Sequence, residues 1–173
     1  FSTFAGTKFD DASIRNAQLN STTAGGFSKE QLYSTASYKQ RDLSGIVLDD
    51  NNLAGWNFSQ QNLTGAAFRR ANLQGTIWTG ANIAGVDFVG STGLAKEQFY
   101  GTKNYKQHDL GGIGLEGLDL SGWDLSGQLL SGTKLAGATL AGTVFTGADI
   151  SNTDLAGATS HGLTAAQLYS TGN

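Results

Sequence analysis

Few side chains in this chain could carry chemistry. Only two histidines occur, His108 and His161, far apart in sequence. A metal centre needs several ligands converging on one point, and two isolated imidazoles do not supply them. His108 stands next to Asp109, a pairing that could serve a nucleophile only with a serine and an orienting group around one pocket. Asp42 and Asp109 occupy matching places in a repeat, as do Asp87 and Asp154. Two carboxylates held across a cleft could do acid–base work. A convex coil offers no such cleft, and an outward Asp at a turn has a plainer use in accepting backbone hydrogen bonds. The chain has no cysteine, which excludes a disulfide scaffold, a thiolate nucleophile and a thiolate metal site. Gly112-Ile113-Gly114 lacks the strand–loop–helix context of a phosphate loop and reads as corner glycines. The expectation is no catalytic residue, no metal and no cofactor.

Composition narrows the partners. The chain has 173 residues, 25 Gly, no Pro and no Met, and its formal charge is −3. That balance argues against a nucleic-acid partner gripped by a basic surface. No run of about 18 apolar residues exists, so no membrane-inserted helix is expected. The absence of Met marks a processed, trimmed or partial chain.

The positioning framework is a period of five. From Arg41 the chain reads RDLSG, IVLDD, NNLAG and onward to VDFVG, and from His108 it reads HDLGG to TDLAG. STFAG, TKFDD, ASIRN and AQLNS fit the same frame before Thr22. Each of the 24 pentads has a large apolar centre, and Gly stands two positions after it in 17 of them. Five matches neither the 3.6 of a helix nor the 2 of a strand, so the chain must turn once per pentad. Centres point inward, as does the often small residue two before them, while the other positions face out. Stacked coils would bury a continuous column. Its members are Leu43, Leu53, Leu63, Leu73, Ile83, Leu110, Leu120, Leu130, Leu140 and Ile150.

The pattern resembles the pentapeptide-repeat family, written A-[DN]-L-x-x. Ala71-Asn72-Leu73, Ala81-Asn82-Ile83 and Ala148-Asp149-Ile150 carry that motif, and the resemblance covers most of the chain. It implies an all-β fold, a right-handed, four-sided parallel β-helix with four pentads per coil and short α-helical interruptions. Ile46, Trp56, Gln61, Ile113, Leu118, Trp123 and Gln128 depart from the small first position. A Trp cannot fit a pocket built for Ala, so the coil is expected to be wider or irregular there.

Three segments break the fives, starting at Gly25, Thr92 and His161. Each reads as a short helix, at about 28–34, 95–101 and 164–170. Ser28 and Thr164 are N-caps with Gln31 and Gln167 at capping-box spacing, while Ala95 replaces the cap in the middle copy. Phe27 with Leu32, Leu94 with Phe99, and Leu163 with Leu168 have the spacing of a hydrophobic staple. Tyr33, Tyr100 and Tyr169 are expected to lie on the coil. Four sections follow: a partial coil over 1–25, a module of helix plus ten pentads over 26–92, a second over 93–161, and the start of a third interruption over 162–173. The pentads of the two modules align at a constant offset, Trp56 on Trp123 and Gln61 on Gln128. Each Trp is expected to pack under its helix, with a ligand platform, such as a sugar-stacking surface, as the alternative.

The longer pattern, Gly26 to Tyr38 followed by Asp42-Leu43-Ser44-Gly45-Ile46 and Gly55-Trp56, resembles multi-module exported pentapeptide proteins of planctomycete-type bacteria. That implies an extracellular or envelope setting. The favoured reading is a non-enzymatic structural or interaction rod. Its partner is another protein or itself, end to end or in a longer tandem array. Phe4 is already a centre with Ser2 in its first position, and the chain stops at Asn173 inside a third interruption, which suggests a piece of an array or a filament subunit. The alternative is a protein-binding module using acids of the second module: Asp109, Glu116, Asp119 and Asp124. Some family members mimic duplex DNA with an acidic surface and bind type II topoisomerases, but Arg69 and Arg70 interrupt such a surface here. A Thr-rich binding face (Thr64, Thr79, Thr133, Thr139, Thr143, Thr146, Thr153) lacks a regular array.

Overall fold

The computed structural model describes residues 3–172; Ser2 and Asn173 lie outside them. The backbone winds into stacked turns. Parallel pairs join residues four pentads apart, such as Asp42 with Asn62, Asn62 with Asn82, and Asp109 with Leu129. Four sides therefore make one turn, and they are numbered here from the side of Asp42 through those of Val47, Asn52 and Asn57. Two pairs have a longer offset: Gln18 with Val47 and Asp87 with Gly114. The turns 12–40 and 81–107 are therefore longer, and they hold the interruptions. The third interruption falls in 148–172, so a helical junction recurs every third turn.

Each pentad is built alike. The residue before the centre pairs with the turns above and below, and the centre points inward. The next two residues bend the chain by about a right angle. Only one residue per side is thus left for a ladder, and no continuous strand forms among the described residues. The expected β-strands are single paired residues for this reason. The bend needs a left-handed residue two after each centre. All 17 glycines there have positive φ, and so do the seven residues that replace Gly: Asp11, Asn16, Ser21, Asp50, Gln60, Arg70 and Asn152. The turn geometry, not the glycine, is what repeats.

The core is the predicted column. Leu43, Leu53, Leu63, Leu73, Ile83, Leu110, Leu120, Leu130 and Leu140 are fully buried, and Ile150 is partly buried against them. Aromatic centres of sides two and four fill the interior of the first module. Phe58 and Trp78 lie 4.9 Å apart, Phe68 meets Trp78 edge-on at 5.2 Å, and Phe88 continues to Phe99 at 6.5 Å. Deeper threonines serve the frame rather than a Thr face. Thr133 and Thr143 are buried, and their hydroxyls donate to the carbonyls of Leu110 and Leu120 at 2.8 Å.

Outside, the Asn or Asp before a centre accepts a hydrogen bond from the N–H two residues on, as Asp119 does from Ser121 at 3.0 Å and Asp124 from Ser126 at 2.9 Å. Asn side chains also ladder between turns, Asn82 donating to Asn62 and Asn62 to Asp42. Arg69 and Arg70 do not stand as free cations. Arg70 pairs with Asp50 at 2.7 Å, and Arg69 with Asp87 at 2.6 Å, one turn to either side.

Among the described residues the five short α-helices are α1 (Lys29–Ser34), α2 (Ala36–Lys39), α3 (Lys96–Tyr100), α4 (Lys103–Lys106) and α5 (Ala165–Tyr169). α1, α3 and α5 occupy the three expected segments. α2 and α4 are additional, started by Thr35 and Thr102, whose hydroxyls accept from the N–H groups of Tyr38 and Tyr105. Among the described residues no helix is long and apolar enough to cross a membrane.

Candidate functional site

The helical junctions are the only places among the described residues where side chains of several types converge repeatedly. A junction interrupts sides three and four of a turn with helix: Thr92 still pairs with Asn72 beneath it, but among the described residues no backbone bridge runs on from these sides to the following turn. The chain closes the gap with side chains, by a glutamine at all three junctions and by a tyrosine pair at the first two.

A glutamine latches the helix to the turn below. Gln31 Oε1 accepts from the Ser28 N–H at 2.8 Å, completing the capping box, and its Nε2 donates to the carbonyls of Phe4 and Thr7 at 2.7 and 2.6 Å. Gln167 repeats this on Leu140 and Thr143 at 2.8 and 2.7 Å. Gln98 reaches the Thr76 carbonyl at 2.6 Å. At Ala95 the box is one-sided: the Ala95 N–H donates to Gln98 at 2.6 Å, but alanine has no oxygen to accept in return. The glutamines were legible as capping residues. Their second role, gripping the coil, was not, because it depends on carbonyls of the preceding turn, remote in sequence.

A tyrosine pair closes the other side. Tyr33 and Tyr38 stack with centroids 4.4 Å apart. The Asn57 N–H donates to Tyr33 Oη at 2.6 Å, and Tyr38 Oη donates to the Asn57 carbonyl at 2.9 Å. The two hydroxyls thereby supply the rung that the missing side would have given Asn57. In the second module Tyr100 and Tyr105 stack at 4.3 Å and clamp Asp124 identically, at 2.6 and 2.8 Å. Burial pushes Tyr38 and Tyr105 up to about 12. Both phenols are therefore neutral donors across the ordinary pH range. Tyr33 and Tyr100 lie against the coil in this way, whereas Tyr169 is 88% exposed. Buried Ser37 and Asn104 complete the closure: their side-chain oxygens accept from the N–H groups of Ile14 and Ile83 at 2.9 and 2.7 Å.

The residues singled out as helix–coil contacts meet here. Phe27 lies 5.9 Å from Trp56, and Phe99 lies 5.2 Å from Trp123. Leu32 is fully buried, and Leu94 packs partly buried on the core. Both Trp side chains are only 5% exposed. The junction leaves the room that an Ala pocket lacks and buries both indoles, which favours their role as packing under the helix. Each indole edge borders an open cleft. The first, about 600 Å³, is lined by Thr23, Phe27, Lys29, Asn52 and Trp56. Its counterpart, about 260 Å³, is lined by Thr92, Leu94, Asp119 and Trp123.

The four acids of the second module do not form one surface. Asp109, Glu116, Asp119 and Asp124 all belong to the turn 108–127, one on each successive side, so they ring the rod. Pentads that follow one another in sequence point in different directions, so acids close in sequence are spread around one turn. Asp119 and Asp124 are held below the usual carboxylate range by hydrogen bonds from the hydroxyl and N–H of Ser121 and Ser126 respectively. The paired acids Asp42 and Asp109 are likewise turn acceptors, toward Ser44 and Gly111. Asp154 accepts from Ala156, and Asp87 is bound to Arg69. His108 follows α4 in the left-handed region, φ 57°, and its ring approaches Gln128 at 3.4 Å. His161 lies against the Gly157 carbonyl at 2.8 Å. No group of three or more His, Asp or Glu side chains is placed to hold a metal ion among the described residues.

No curated protein sequence matches the chain. Among solved structures, a pentapeptide-repeat protein, Rfr23, from the cyanobacterium Cyanothece 51142 is 22% identical, over 67% of this chain and 57% of its own, with a TM-score of 0.27. HetL from Nostoc sp. strain PCC 7120, a pentapeptide-repeat protein involved in regulating heterocyst differentiation, is 24% identical over 88% and 51%, with a TM-score of 0.22. The chain thus spans little more than half the length of either. QnrB1, a plasmid-mediated fluoroquinolone resistance protein, is 16% identical over 99% and 89%, with a TM-score of 0.33. The family model for pentapeptide repeats matches eight copies, at residues 42–77, 62–92 and 124–159. Those segments make up half of the chain and leave out all five α-helices, and the chain belongs to the pentapeptide-repeat family.

Proposed function

We propose that the chain is a non-enzymatic rod, a structural or interaction module of a longer modular or filamentous assembly in an extracellular or envelope setting. The observation that carries this reading is the junction. The same glutamine latch recurs at Gln31, Gln98 and Gln167, each holding its helix to the turn beneath. A device that rejoins a coil every third turn is suited to extending a column of modules, and its repetition offers no single site on which a reaction could centre. The right hand of the coil and the setting rest on the family resemblance and the modular pattern. The partner is another protein or further copies of the module.

The test is length. Turns stack about 4.8 Å apart, so three turns add about 14 Å. Native particles purified from the source organism and imaged by electron microscopy should be rods, and inserting further copies of residues 93–161 should lengthen them by that step per copy. Compact particles that do not lengthen would overturn the rod.

A further inference from the structure

The first and third junctions are built alike, and the second differs. Residues 3–36 recur at 139–172, an offset of 136 residues that sets Phe27 on Leu163, Gln31 on Gln167 and Tyr33 on Tyr169. The latching glutamine stands 27 residues after the carbonyl it grips in both, Phe4 and Leu140, but 25 after Leu73 in the second junction. Both also hold a 3₁₀ turn, Thr23–Gly25 and Ala158–His161, and among the described residues none precedes α3.

The face that the first junction turns toward residues 41–60 is fully used. The N–H groups of Asn16, Leu19 and Ser21 donate to the carbonyls of Ser44, Val47 and Asp49, and Trp56 lies on Phe27. Asn51 reads the 3₁₀ turn: its Oδ1 accepts from the Thr23 N–H at 2.8 Å, and its Nδ2 donates to the Leu19 carbonyl at 2.7 Å. In the second module Leu118 takes that position, over the junction without the turn. The same face of the third junction has the same parts, unpaired. The equivalent N–H groups, those of Asn152, Leu155, Gly157 and Thr159, have no hydrogen-bond partner among the described residues. Ile150, Leu155, Leu163 and Leu168 line an apolar concavity, whereas their equivalents Ile14, Leu19, Phe27 and Leu32 are buried. Tyr169 projects into solvent, where Tyr33 accepts from Asn57.

We propose that this face takes a further turn of the 41–60 kind, following Gly172 as residues 37–60 follow Ala36, with an Asn at the Asn51 position and a Trp over Leu163. The repeating unit of the rod is then a pair of modules with alternating junctions, not a single module. The occupant is identified by the chain itself, because that turn covers the equivalent face within it. A second copy does not supply the turn, since its own residues 41–60 are already seated on its residues 3–36. Solenoid stability is a sum of contacts between neighbouring repeats, so a junction that recurs bond for bond takes a turn that recurs with it. Unpaired backbone N–H groups on an apolar face favour the same outcome. The inference rests on the rod reading and deepens it by naming the joint and the turn that the joint accepts.

The test extends the full chain after residue 173, once with residues 38–92, which carry Asn51, and once with residues 105–159, which carry Leu118. In the parent, the amides of Asn152, Leu155 and Gly157 should exchange at least about tenfold faster than those of Asn16, Leu19 and Ser21. The 38–92 extension should slow Leu155, Gly157 and Thr159 at least about tenfold, and slow nitration of Tyr169 by tetranitromethane about as much. The 105–159 extension, or the 38–92 extension carrying Asn51→Leu in the added copy, should leave Thr159 exchanging at the parent rate. Parent amides that are already protected overturn the proposal, as does a 38–92 extension that leaves those amides and Tyr169 unchanged. Equal protection of Thr159 by both extensions overturns it too, because it denies the pairing of turn with junction type. Rods that lengthen on insertion of residues 93–161 while failing here would keep the rod and remove only this joint.

Discussion

Replacing Tyr33 and Tyr38 together by Phe tests whether side chains substitute for a missing turn of backbone. The rings remain, so their 4.4 Å stacking is kept, and only the two hydroxyls are lost. Each hydroxyl makes one hydrogen bond to the Asn57 peptide, at 2.6 and 2.9 Å. A hydrogen bond contributes about 0.5–1.5 kcal/mol net, and a stranded backbone partner costs at the upper end of that range or beyond. Asn57 is half-buried, so water recovers part of the loss. The expected cost is about 2 kcal/mol for the double variant and about 1 kcal/mol for each single one. Tyr100→Phe with Tyr105→Phe removes the same bonds from Asp124, which is more exposed, and should cost about half as much. A solenoid unfolds in units, so urea denaturation alone would blur a local effect. Hydrogen exchange at the Asn57 amide reads the rung directly and should accelerate roughly fivefold in Tyr33→Phe, as about 1 kcal/mol of lost protection requires. A double variant that loses less than about 0.5 kcal/mol, with unchanged exchange at Asn57, would refute the clamp.

Burial raises Tyr38 and Tyr105 to about 12 from the ordinary 10, so the folded state holds these protons more tightly than the unfolded chain. Their contribution is whole below pH 10 and is lost as pH rises toward 12; thermal melts should fall through that window, less so in the double Tyr38→Phe, Tyr105→Phe variant. Leu73→Ala removes a fully buried centre from a column that cannot collapse, and urea titration should show a loss of about 2–5 kcal/mol. Gly75→Ala faces only the left-handed strain, φ 65°, with nothing within 4 Å of the new methyl, and should cost about 1 kcal/mol. Gly93→Ala sets its methyl 2.7 Å from the Gln74 backbone nitrogen and should be clearly worse in the same melt. Replacing His108 and His161 with Gln should leave the circular dichroism spectrum unchanged and lower the melting temperature by no more than a few degrees.

The turning chain, its buried centres and the places where it breaks are all written in local pattern. A period of five forces a bend per pentad, and an apolar residue at every centre can only be satisfied by stacking. Leu53, Leu73, Leu120 and Leu140 needed no coordinates to be named. The left-handed corner was legible as Gly, yet Gln60 and Arg70 adopt it too, because stacked neighbours impose the bend on whichever residue arrives there. What meets what across turns emerged only once the coil was packed. Packing joined Tyr33 and Tyr38 to Asn57, gave Gln98 its grip on Thr76, and scattered four acids that sit close in sequence onto four sides. Contacts from one turn to the next depend on how much chain each interruption adds to its turn. That length is set by how helix, glutamine and tyrosines fill the gap together, which no local pattern records.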